Sequence, residues 1–411
     1  MSKDSNTDTD FRGFGIADPL FERITELGFV KPTPIQSKAI PIVNGGEDVV
    51  GVAQTGSGKT LAFSIPMIQF VAQQKKMGLV VLPTRELAVQ VEEVMKEVAG
   101  KFGLRTALLI GGTNPHPQRK DLKKGPHIIV ATPGRLIDHV DQRNIDLKKV
   151  GMIVLDEADR MLDMGFIPQI RKIFSFVPKE RQTMLFSATM PERVVKIATD
   201  YMRNPLRIEV APPGTTAEKI DQEVFIVKRD EKMSLLDRLL KEYEGSTLIF
   251  TRTKHGAKNT AERLRKMGYT ADELHSNRSQ AQRQRALKGF ANGKYRIMVA
   301  TDIAARGIDV DHLALVVNYD LPEQVDDYTH RIGRTGRAGR EGKAISFAMP
   351  SQKKEIVQIQ QLINKELPIK GACGKDLGAA RDLPSVRGEG GGKPRRFRGG
   401  GGRGGGRGRR R

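Results

Sequence analysis

The sequence has little of what exported, disulfide-bonded or membrane-spanning proteins depend on. Its 411 residues include one cysteine, Cys373, which excludes an internal disulfide and a cysteine-based metal site and fits a reducing compartment such as the cytoplasm. No uninterrupted apolar run approaches the roughly 18 to 20 residues that span a bilayer. The N-terminus, MSKDSNTDTD, lacks the basic start and apolar stretch of a secretory signal. We therefore expect a soluble, cytoplasmic chain with no membrane partner.

Acidic residues are the scarcer charged class. The chain has 69 Lys and Arg against 48 Asp and Glu, for a net charge of +21. Residues 387–411 contain ten Lys or Arg and one acid, a net charge of +9, and the other 386 residues carry +12. A polyanionic partner is the leading interpretation of this excess, and a solvated basic surface is the alternative.

Short β-branched runs alternate with helix-length segments in two series, which predicts two α/β units with parallel sheets and crossover helices. The first series of predicted strands covers 48–52, 78–82, 127–131, 152–155 and 183–186. The second series covers 247–251, 296–301, 313–319 and 343–348. A turn-rich stretch, APPGTT at 211–216, separates the two series and marks a linker.

The predicted organisation has five parts. A disordered N-terminus (1–10) precedes a first α/β domain (11–208), a linker (209–218) and a second α/β domain (219–368). Apolar periodicity stops after 368, and the segment 369–411 becomes a glycine- and arginine-rich tail that cannot bury enough surface to order itself. We expect this tail to be disordered.

The stretch GVAQTGSGKT (51–60) has the context of a phosphate-binding loop. It follows a β-branched strand and opens a helical segment in which Pro66 is expected to cause a kink. In that order the backbone amides and the helix N-terminus point at an anion. Lys59 would neutralise the β and γ phosphates of a nucleotide, and Thr60 would ligate Mg²⁺. Ala53 stands where such loops usually begin with glycine, and its small side chain is compatible with close backbone approach if its φ is negative. A chance match in a chain with 43 glycines is the alternative.

The segment VLDEAD (154–159) ends another apolar strand with paired carboxylates. At the carboxyl end of a parallel strand, Asp156 could hold Mg²⁺ through water and Glu157 could orient an attacking water. An acidic cluster alone is usually a solvated turn. Together with the phosphate loop upstream, it predicts a site that hydrolyses a nucleoside triphosphate.

The letters DEAD at 156–159 and a series of further motifs resemble the DEAD-box ATP-dependent RNA helicases. The match runs from about residue 11 to about residue 368, and in this family alanine is the usual residue at the position of Ala53. The resemblance implies two tandem RecA-like domains with parallel sheets, one ATP and Mg²⁺ site shared between them, and RNA-stimulated ATP hydrolysis. It further implies local, non-processive unwinding of short RNA duplexes and remodelling of RNA–protein complexes.

The resemblance also assigns the nucleotide site. Phe11 would stack on adenine, Gln36 of the Q motif GFVKPTPIQ (28–36) would read the edge of the base, and Asp309 would contact the ribose. The phosphate loop contributes Ala53, Gln54, Thr55, Gly56, Ser57, Gly58, Lys59 and Thr60, and Thr60 and Asp156 are the implied metal ligands. The implied catalytic residues are Asp156, Glu157, Asp159, His330, Arg334 and Arg337, the last two as arginine fingers from HRIGRTGR (330–337).

The remaining motifs concern RNA and coupling. Ser187, Ala188 and Thr189 would link the state of ATP to strand separation. The implied RNA-binding residues, which act largely through the backbone and independently of sequence, are Pro83, Thr84, Arg85, Gly111, Gly112, Thr132, Pro133, Gly134, Arg135, Gln280, Arg283 and Thr301. The basic tail would be an auxiliary RNA tether, with Phe397 able to stack on a base; a solubilising or protein-interaction segment is the alternative.

Two positions depart from the family pattern, Ser276 after His275 and Thr329 before His330. FRGFGIADPL (11–20) and the basic tail are most similar to the bacterial RhlE-type branch. Two other functions are alternatives: an ATP-dependent clamp that holds RNA without unwinding it, and a DNA translocase built from the same pair of domains. The intact SAT sequence at 187–189 argues against the first, and DEAD with the Q motif argues against the second.

Overall fold

A computed structural model describes residues 10–53, 56–210, 220–305, 313–336 and 342–378, without the side chains of 303 and 305. Within these ranges, residues 10–210 form a first α/β lobe and residues 220–378 form a second. The predicted sites at Gln54, Thr55, Asp309 and Arg337, and the tail from 379 onward, lie outside the described residues.

The first lobe contains nine α-helices and seven strands among its described residues. Its helices are α1 (Asp18–Glu26), α2 (Pro34–Asn44), α3 (Lys59–Gln74), α4 (Arg85–Ala99), α5 (Pro115–Lys123), α6 (Pro133–Asp141), α7 (Ala158–Asp163), α8 (Ile167–Phe176) and α9 (Glu192–Tyr201). Its strands are β1 (Val49–Val52), β2 (Met77–Val81), β3 (Thr106–Leu109), β4 (Ile128–Ala131), β5 (Val150–Leu155), β6 (Gln182–Ser187) and β7 (Leu206–Glu209).

The described part of the second lobe repeats this alternation. Its helices are α10 (Lys232–Glu242), α11 (Lys254–Lys266), α12 (Gln280–Ala291), α13 (Asp302–Ala305), α14 (Asp327–Ile332) and α15 (Lys353–Ile363). Its strands are β8 (Ile220–Ile226), β9 (Thr247–Phe250), β10 (Ala271–Leu274), β11 (Ile297–Ala300), β12 (Leu315–Asn318), β13 (Gly342–Ala348) and β14 (Ile369–Gly371).

Each lobe is built on a seven-stranded parallel sheet. The strand order is β3-β4-β2-β5-β6-β1-β7 in the first lobe and β10-β11-β9-β12-β13-β8-β14 in the second. Successive residues of one strand enter different apolar clusters: Val80 and Val154 pack in one cluster, and Leu79 and Ile153 pack in another. Since side chains alternate across a strand, the sheet is covered on both faces, which explains why its central strands read as continuous apolar runs.

The strand order sets the positions of the sites. The strands β1, β5 and β6 are neighbours. The phosphate loop, the DEAD segment and Ser187 lie at the carboxyl ends of these strands. The strands β2, β3 and β4 form the other half of the same sheet, and the three first-lobe segments predicted to bind RNA follow those strands. Because the carboxyl ends of parallel strands lie on the same side of a sheet, the two predicted sites are next to each other.

The structure confirms the two tandem RecA-like domains and corrects the predicted start of the tail. Residues 369–371 are not disordered: β14 pairs with β8, and the buried Ile369 accepts a hydrogen bond from the Leu377 amide at 2.8 Å. A single isoleucine in register with Val224 is enough to add an edge strand, although it leaves no periodic signal in the sequence. Helix α3 continues through Pro66 to Gln74. Among the described residues, no helix combines the length and apolar composition needed to span a bilayer.

Candidate active site between the two lobes

The phosphate loop has the backbone geometry that its glycines predict. Gly56 and Gly58 have φ of 83° and 91°, and positive φ in the described part of this loop is confined to these two glycines. A Cβ on Gly58 would lie 2.5 Å from Nε2 of Gln36, so glycine is required there for space as well as for conformation. Ala53 therefore fits without strain, and Ser57 and Thr60 lie in the loop and the first turn of α3 that it introduces.

The structure brings Gln36 to the phosphate loop. Its Nε2 donates to the Gly58 carbonyl at 3.0 Å, and its Oε1 accepts from the Thr33 amide at 2.9 Å, near the start of α2. A glutamine amide has two donor hydrogens and can accept twice, so one donor and one acceptor position remain after these bonds. The Q motif is thereby tied to the loop by hydrogen bonds, and its contact with adenine stays a prediction.

Phe11 is more deeply buried than its predicted role in base stacking requires. Its ring is 1 % exposed and packs edge-to-face against Phe14 at a centroid distance of 6.0 Å. Stacking on a base needs an accessible ring face. The adenine contact of Phe11 stays a prediction.

Lys59 and Asp156 meet at the base of the loop. The Lys59 amine donates to the Ala53 carbonyl at 3.0 Å and lies 4.0 Å from Oδ1 of Asp156, and both side chains are buried. Burial raises the pKa of Asp156 to about 6, with Lys59 opposing the shift and Glu157 adding to it. A further cation at this site would stabilise the charged form of the buried carboxylate, which has one ammonium group beside it.

Glu157 has an unusual backbone. It precedes α7 in the left-handed region, at φ 53° and ψ 51°, where non-glycine residues are uncommon. Its carboxylate is buried, 3.4 Å from Nε of Arg160 one helical turn later. All three carboxylates of the DEAD segment are buried at this turn.

Asp159 connects the DEAD segment to the end of β6. Its Oδ2 accepts hydrogen bonds from the amides of Ala188 (3.1 Å) and Thr189 (2.9 Å) and from Oγ1 of Thr189 (2.9 Å). The Asp159 amide in turn donates to Oγ of Ser187 at 3.2 Å. Burial acts to raise the pKa of Asp159, but His330, Lys59, Arg160 and the Thr189 amide outweigh it and hold that pKa below its usual range.

The second lobe contributes the opposite wall of the site. His330 and Arg334 lie at the end of α14, and Nε of Arg334 donates to the His330 carbonyl at 3.3 Å. Together with Arg160 of the first lobe, they line one cavity between the lobes. His330 lowers the pKa of Asp159 across this boundary. The structure thus places His330 and Arg334 of the second lobe beside Arg160, and His330 near Asp159, while the catalytic roles of these residues stay predictions.

Arg331 was not predicted, although it lies inside the HRIGRTGR motif. Its buried guanidinium forms two hydrogen bonds with the Asp302 carboxylate, one of them at 2.7 Å, and donates to the Asp320 carbonyl at 2.6 Å and to Asn318 at 3.1 Å. It joins the last turn of α14 to the ends of β11 and β12. The spacing of arginines in the motif would have suggested that Arg331 has a role. The burial of Arg331 depends on the fold and could not be predicted from the motif.

The three first-lobe segments predicted to bind RNA are in contact. Thr84 precedes α4, and its Oγ1 accepts from the Leu87 amide at 3.4 Å. The Arg85 guanidinium lies so close to the Gly111–Gly112 turn that a Cβ on Gly112 would overlap it. Arg135, in the first turn of α6 after Thr132, Pro133 and Gly134, donates to the Thr113 carbonyl at 3.2 Å. Pro83, Thr84, Thr132 and Pro133 are buried, so the surface of these segments is formed by Arg85, Gly111, Gly112, Gly134 and Arg135, which are at least partly exposed.

A buried hydrogen-bond chain under this surface was also not predicted. Nε2 of His139 on α6 lies 3.2 Å from Oε1 of Gln118 on α5, and Gln118 donates to the Ile110 carbonyl (2.9 Å) and to Oγ1 of Thr113 (2.8 Å). Nδ1 of His139 faces the Asn144 amide at 3.2 Å. The donor pattern requires a neutral imidazole with its proton on Nε2. A glutamine and a histidine 21 residues apart leave no motif that could have indicated this pairing.

In the second lobe, the predicted RNA-binding residues follow neighbouring strands. Gln280 and Arg283 lie in the first turns of α12 after β10, and Thr301 follows β11. Nη2 of Arg283 lies 2.9 Å from Oε2 of Glu86 on α4 of the first lobe, and both side chains are buried. The RNA contact of Arg283 stays a prediction. Glu86 was not predicted. The geometry makes Arg283 a contact between the lobes.

The oxygen donors at Asp156 and Thr60 suit Mg²⁺. Among the described residues, no group of three or more His, Cys, Asp or Glu side chains could hold a metal ion alone. Mg²⁺ commonly takes one or two protein oxygens and completes its shell with water and phosphate oxygens. The buried Asp156, whose Oδ1 lies 4.0 Å from the Lys59 amine, fits that pattern.

Two family models match the chain. Residues 33–197 match the DEAD/DEAH box helicase family, and residues 231–339 match the helicase conserved C-terminal domain. The ATP-dependent rRNA helicase RRP3 of Debaryomyces hansenii is 42 % identical over 372 residues, which cover 89 % of this chain and 78 % of that protein.

Solved structures with both lobes are also similar. Saccharomyces cerevisiae Dbp5 bound to RNA and ADP BeF3 has a TM-score of 0.79 at 31 % identity, covering 88 % of this chain and 96 % of that one. A DEAD box protein from Methanococcus jannaschii is more similar in sequence, at 40 % identity and coverages of 88 % and 98 %, but its TM-score is 0.52. The whole chain here therefore superposes better on the structure that contains RNA and a nucleotide.

Proposed function

The chain belongs to the DEAD-box family of ATP-dependent RNA helicases, and from this premise we propose that closure of its two lobes on RNA is what activates ATP hydrolysis. The observation that supports the proposal is the cavity lined by Arg160 of the first lobe and by His330 and Arg334 of the second. A site divided in this way is complete only when the lobes meet. Hydrolysis should then respond to any ligand that brings them together.

Each side chain has a definite task in this mechanism. Lys59, already beside Asp156, binds the β and γ phosphates, and Glu157 orients the attacking water. Arg334, with Arg337 beyond the described residues, stabilises the charge that develops on the transferred phosphoryl group. Mg²⁺, held by Thr60 and Asp156, supplies charge neutralisation at the phosphates when bound. Asp309 and Gln36 select the nucleoside.

RNA binding is proposed to act through phosphates and 2′-hydroxyls. The surface formed by Arg85, the Gly111–Gly112 turn and the start of α6 presents guanidinium groups and backbone, which suits recognition that is independent of sequence. Closure would bend one strand and separate a short duplex locally, without processive movement. The same motion would displace proteins bound to the RNA, and hydrolysis would reopen the lobes.

Replacement of Arg334 by alanine tests the shared site. An arginine finger commonly contributes on the order of 10³ to 10⁵ in rate. We expect Arg334→Ala to nearly abolish RNA-stimulated ATP hydrolysis, while a fluorescent ATP analogue still binds through the first lobe. Near-normal turnover in this variant would contradict the assignment.

Two other functions can be separated from unwinding. An RNA clamp would bind RNA with ATP but would not displace a strand from blunt or overhang duplexes. A DNA translocase would work equally well when the loading strand carries no 2′-hydroxyls. We expect strand displacement to occur and to require ribose in the loading strand.

The basic tail is proposed to tether RNA. If it neutralises about six phosphates, RNA affinity should fall roughly 10³-fold or more between about 50 and 200 mM salt. Removal of residues 388–411 should weaken RNA binding and flatten this salt dependence. Unchanged binding after truncation would favour a solubilising or protein-interaction role for the tail.

The RNA class, the branch of the family and the location are proposals at a finer level. Ribosomal RNA and messenger RNA are both candidate substrates, and ATP hydrolysis measured with fractionated RNA classes would separate them. We propose the RhlE-type branch from FRGFGIADPL and the basic tail, and a cytoplasmic location from the single exposed cysteine, Cys373. Cell fractionation with an antibody to the chain would test the location.

A further inference from the structure

Helix α5 carries a dense positive charge beside the predicted RNA surface. Between residues 105 and 127 the sequence has five Lys or Arg and one acid, in a chain whose first 386 residues carry only +12. Four of these bases belong to α5 and its C-cap: Arg119, Lys120, Lys123 and Lys124. The fifth, Arg105, precedes the edge strand β3 and donates to the Gly125 carbonyl at 3.1 Å.

The helix separates its charged and buried residues onto different faces. Gln118 and Leu122, four residues apart, are buried against the sheet. Lys120, Lys123 and Lys124 are exposed. Residues three and four apart are neighbours on a helix, so these lysines form one face. The single acid, Asp121, pairs with Lys124 at 2.8 Å, which leaves most of the positive charge of this face uncompensated within the segment.

This face is continuous with the predicted RNA surface. Helix α5 begins directly after the Gly111–Thr113 loop, and Gln118 fixes it there through hydrogen bonds to Ile110 and Thr113. At the other end of the hydrogen-bond chain, the charges of both Arg135 and Arg119 act on His139, so both arginines lie near this imidazole. The bases of α5 then run down the outer edge of the first sheet, away from the carboxyl ends of its strands.

The composition of the face favours a nucleic-acid backbone over a protein. Protein interfaces usually depend on a few buried aromatic or apolar anchors. Among the described residues, seven large apolar side chains are exposed, and none of them lies between 105 and 127. A row of flexible ammonium groups without apolar anchors suits phosphates, which it can neutralise without reading bases.

We propose that the exposed face of α5, together with Arg105, is a second RNA-backbone site that extends the RNA path from the Gly111–Thr113 loop along the outer edge of the first sheet. The proposal rests on the proposed RNA helicase function. The second site adds affinity for RNA that is longer than the path between the lobes, and it adds no preference for sequence.

The test uses the full chain and a pair of matched double variants. Lys120→Gln with Lys123→Gln removes two charges three residues apart on α5. Arg263→Gln with Lys266→Gln removes two charges at the same spacing on exposed α11 of the second lobe. Binding to a short and a long fluorescent single strand of the same base composition is measured by anisotropy across a salt series, and thermal unfolding confirms that all variants are folded.

We expect the α5 variant alone to bind the long strand more weakly at low salt, with the slope of log affinity against log salt reduced by about 1.4 for two lost phosphate contacts. Between about 50 and 200 mM salt, its disadvantage relative to the unsubstituted chain should shrink about sevenfold. The short strand should bind equally well to the α5 variant and to the unsubstituted chain. An equal loss in the α11 variant, or no loss in the α5 variant, would overturn the proposal, and the latter result would point to an acidic protein partner.

The outcomes also separate this proposal from the one it rests on. If RNA stimulates ATP hydrolysis by the unsubstituted chain while the α5 variant binds long RNA normally, only the second site is refuted. If the unsubstituted chain neither binds RNA nor responds to it, both proposals fail.

Discussion

Glu157 combines strain, burial and charge in one residue. Its left-handed backbone costs a non-glycine residue on the order of 1 to 3 kcal/mol, and its carboxylate is buried beside Arg160. Such a conformation persists only where the surrounding structure fixes it. The neighbouring Asp156, whose pKa burial raises to about 6, lies on the Lys59 side of the same turn. The turn therefore gives two adjacent carboxylates different surroundings, as their different proposed roles require.

Glu157→Gln should separate binding from chemistry. The amide has the same size and can occupy the same turn, but it cannot accept a proton from water. General-base groups typically contribute about 10² to 10⁴ in rate. We expect single-turnover ATP hydrolysis with saturating RNA to fall by at least about 10²-fold, with ATP affinity changed little. A variant that hydrolyses ATP at the normal rate would remove Glu157 from the mechanism.

His139 should make the stability of the chain depend on pH. Burial lowers the pKa of His139 below its usual value, Arg135 and Arg119 add to the shift, and Asp138 opposes it. A histidine with a depressed pKa is neutral when folded, whereas the unfolded chain takes up a proton near its usual pKa of about 6.5. Acidification below that value therefore favours unfolding, and the stabilisation is fully present above it.

The variant His139→Gln isolates this contribution, because glutamine can accept from Asn144 and donate to Gln118 but does not titrate. From about pH 7 to about pH 5, the unsubstituted chain should lose more stability than the variant, by at most about 1.4 kcal/mol per pH unit. Thermal unfolding followed by circular dichroism measures both curves. His127 and His275, whose pKa values burial also lowers, are present in both proteins and cancel in the difference. Parallel curves would contradict the prediction.

Sequence patterns identify individual residues where the chemistry is local. Lys59, Asp156 and Asp159 could be predicted because their neighbours in the sequence supply the loop or turn that positions them. Glu86 and Gln118 could not, because their partners, Arg283 and His139, lie on other helices. The roles of such residues depend on contacts with residues that are distant in the sequence, and only the fold brings these residues together.

Among the secondary-structure elements, all interior strands except β8 were predictable, and the edge strands were not. All nine predicted strands form, since strands buried on both faces read as β-branched runs. The five missed strands among the described residues are β3, β7, β10 and β14, which lie at the ends of the two sheets, and β8, which lies between β13 and the edge strand β14. β7 has one buried residue in four, and β14 has one in three. Such strands are defined by pairing with a neighbour, and their own sequences carry little apolar signal.

The junction between β6 and α7 is the element through which ATP and RNA are proposed to communicate. Oδ2 of Asp159 accepts three hydrogen bonds from residues 188 and 189, so a movement of the DEAD segment must displace the end of β6. Thr189→Val keeps the shape of the side chain and removes one donor to a charged acceptor, a loss of about 1.5 to 3 kcal/mol in typical cases.

For Thr189→Val we expect strand displacement to slow by about tenfold or more, while RNA-stimulated ATP hydrolysis changes by less than about threefold. Thr189→Ser keeps the hydroxyl and is the matched control, which should retain both activities. Parallel loss of hydrolysis and strand displacement in Thr189→Val would show that this junction serves hydrolysis and has no separate role in coupling.

Across the whole molecule, the two lobes meet through charged residues. His330 acts on Asp159 at the nucleotide side, and Arg283 pairs with Glu86 beside the predicted RNA surface. Burial lowers the pKa of Arg283, Glu86 opposes the shift, and Arg85 adds to it, so this guanidinium lies within the field of a residue predicted to bind RNA. Charged contacts between lobes are strong only when both partners are present, because either charge alone would be buried without compensation.

The Glu86–Arg283 pair should therefore govern closure of the lobes. Removing one partner of a buried ion pair commonly costs about 3 to 5 kcal/mol, and removing both costs less than the sum. With RNA and a non-hydrolysable ATP analogue, Glu86→Gln and Arg283→Gln should each reduce the closed fraction reported by a fluorophore pair with one label on each lobe. The double variant should recover part of that loss, with a coupling energy of about 0.5 to 3 kcal/mol. Purely additive losses would mean that Arg283 acts on RNA directly, as its motif first suggested, and that the pair does not hold the lobes together.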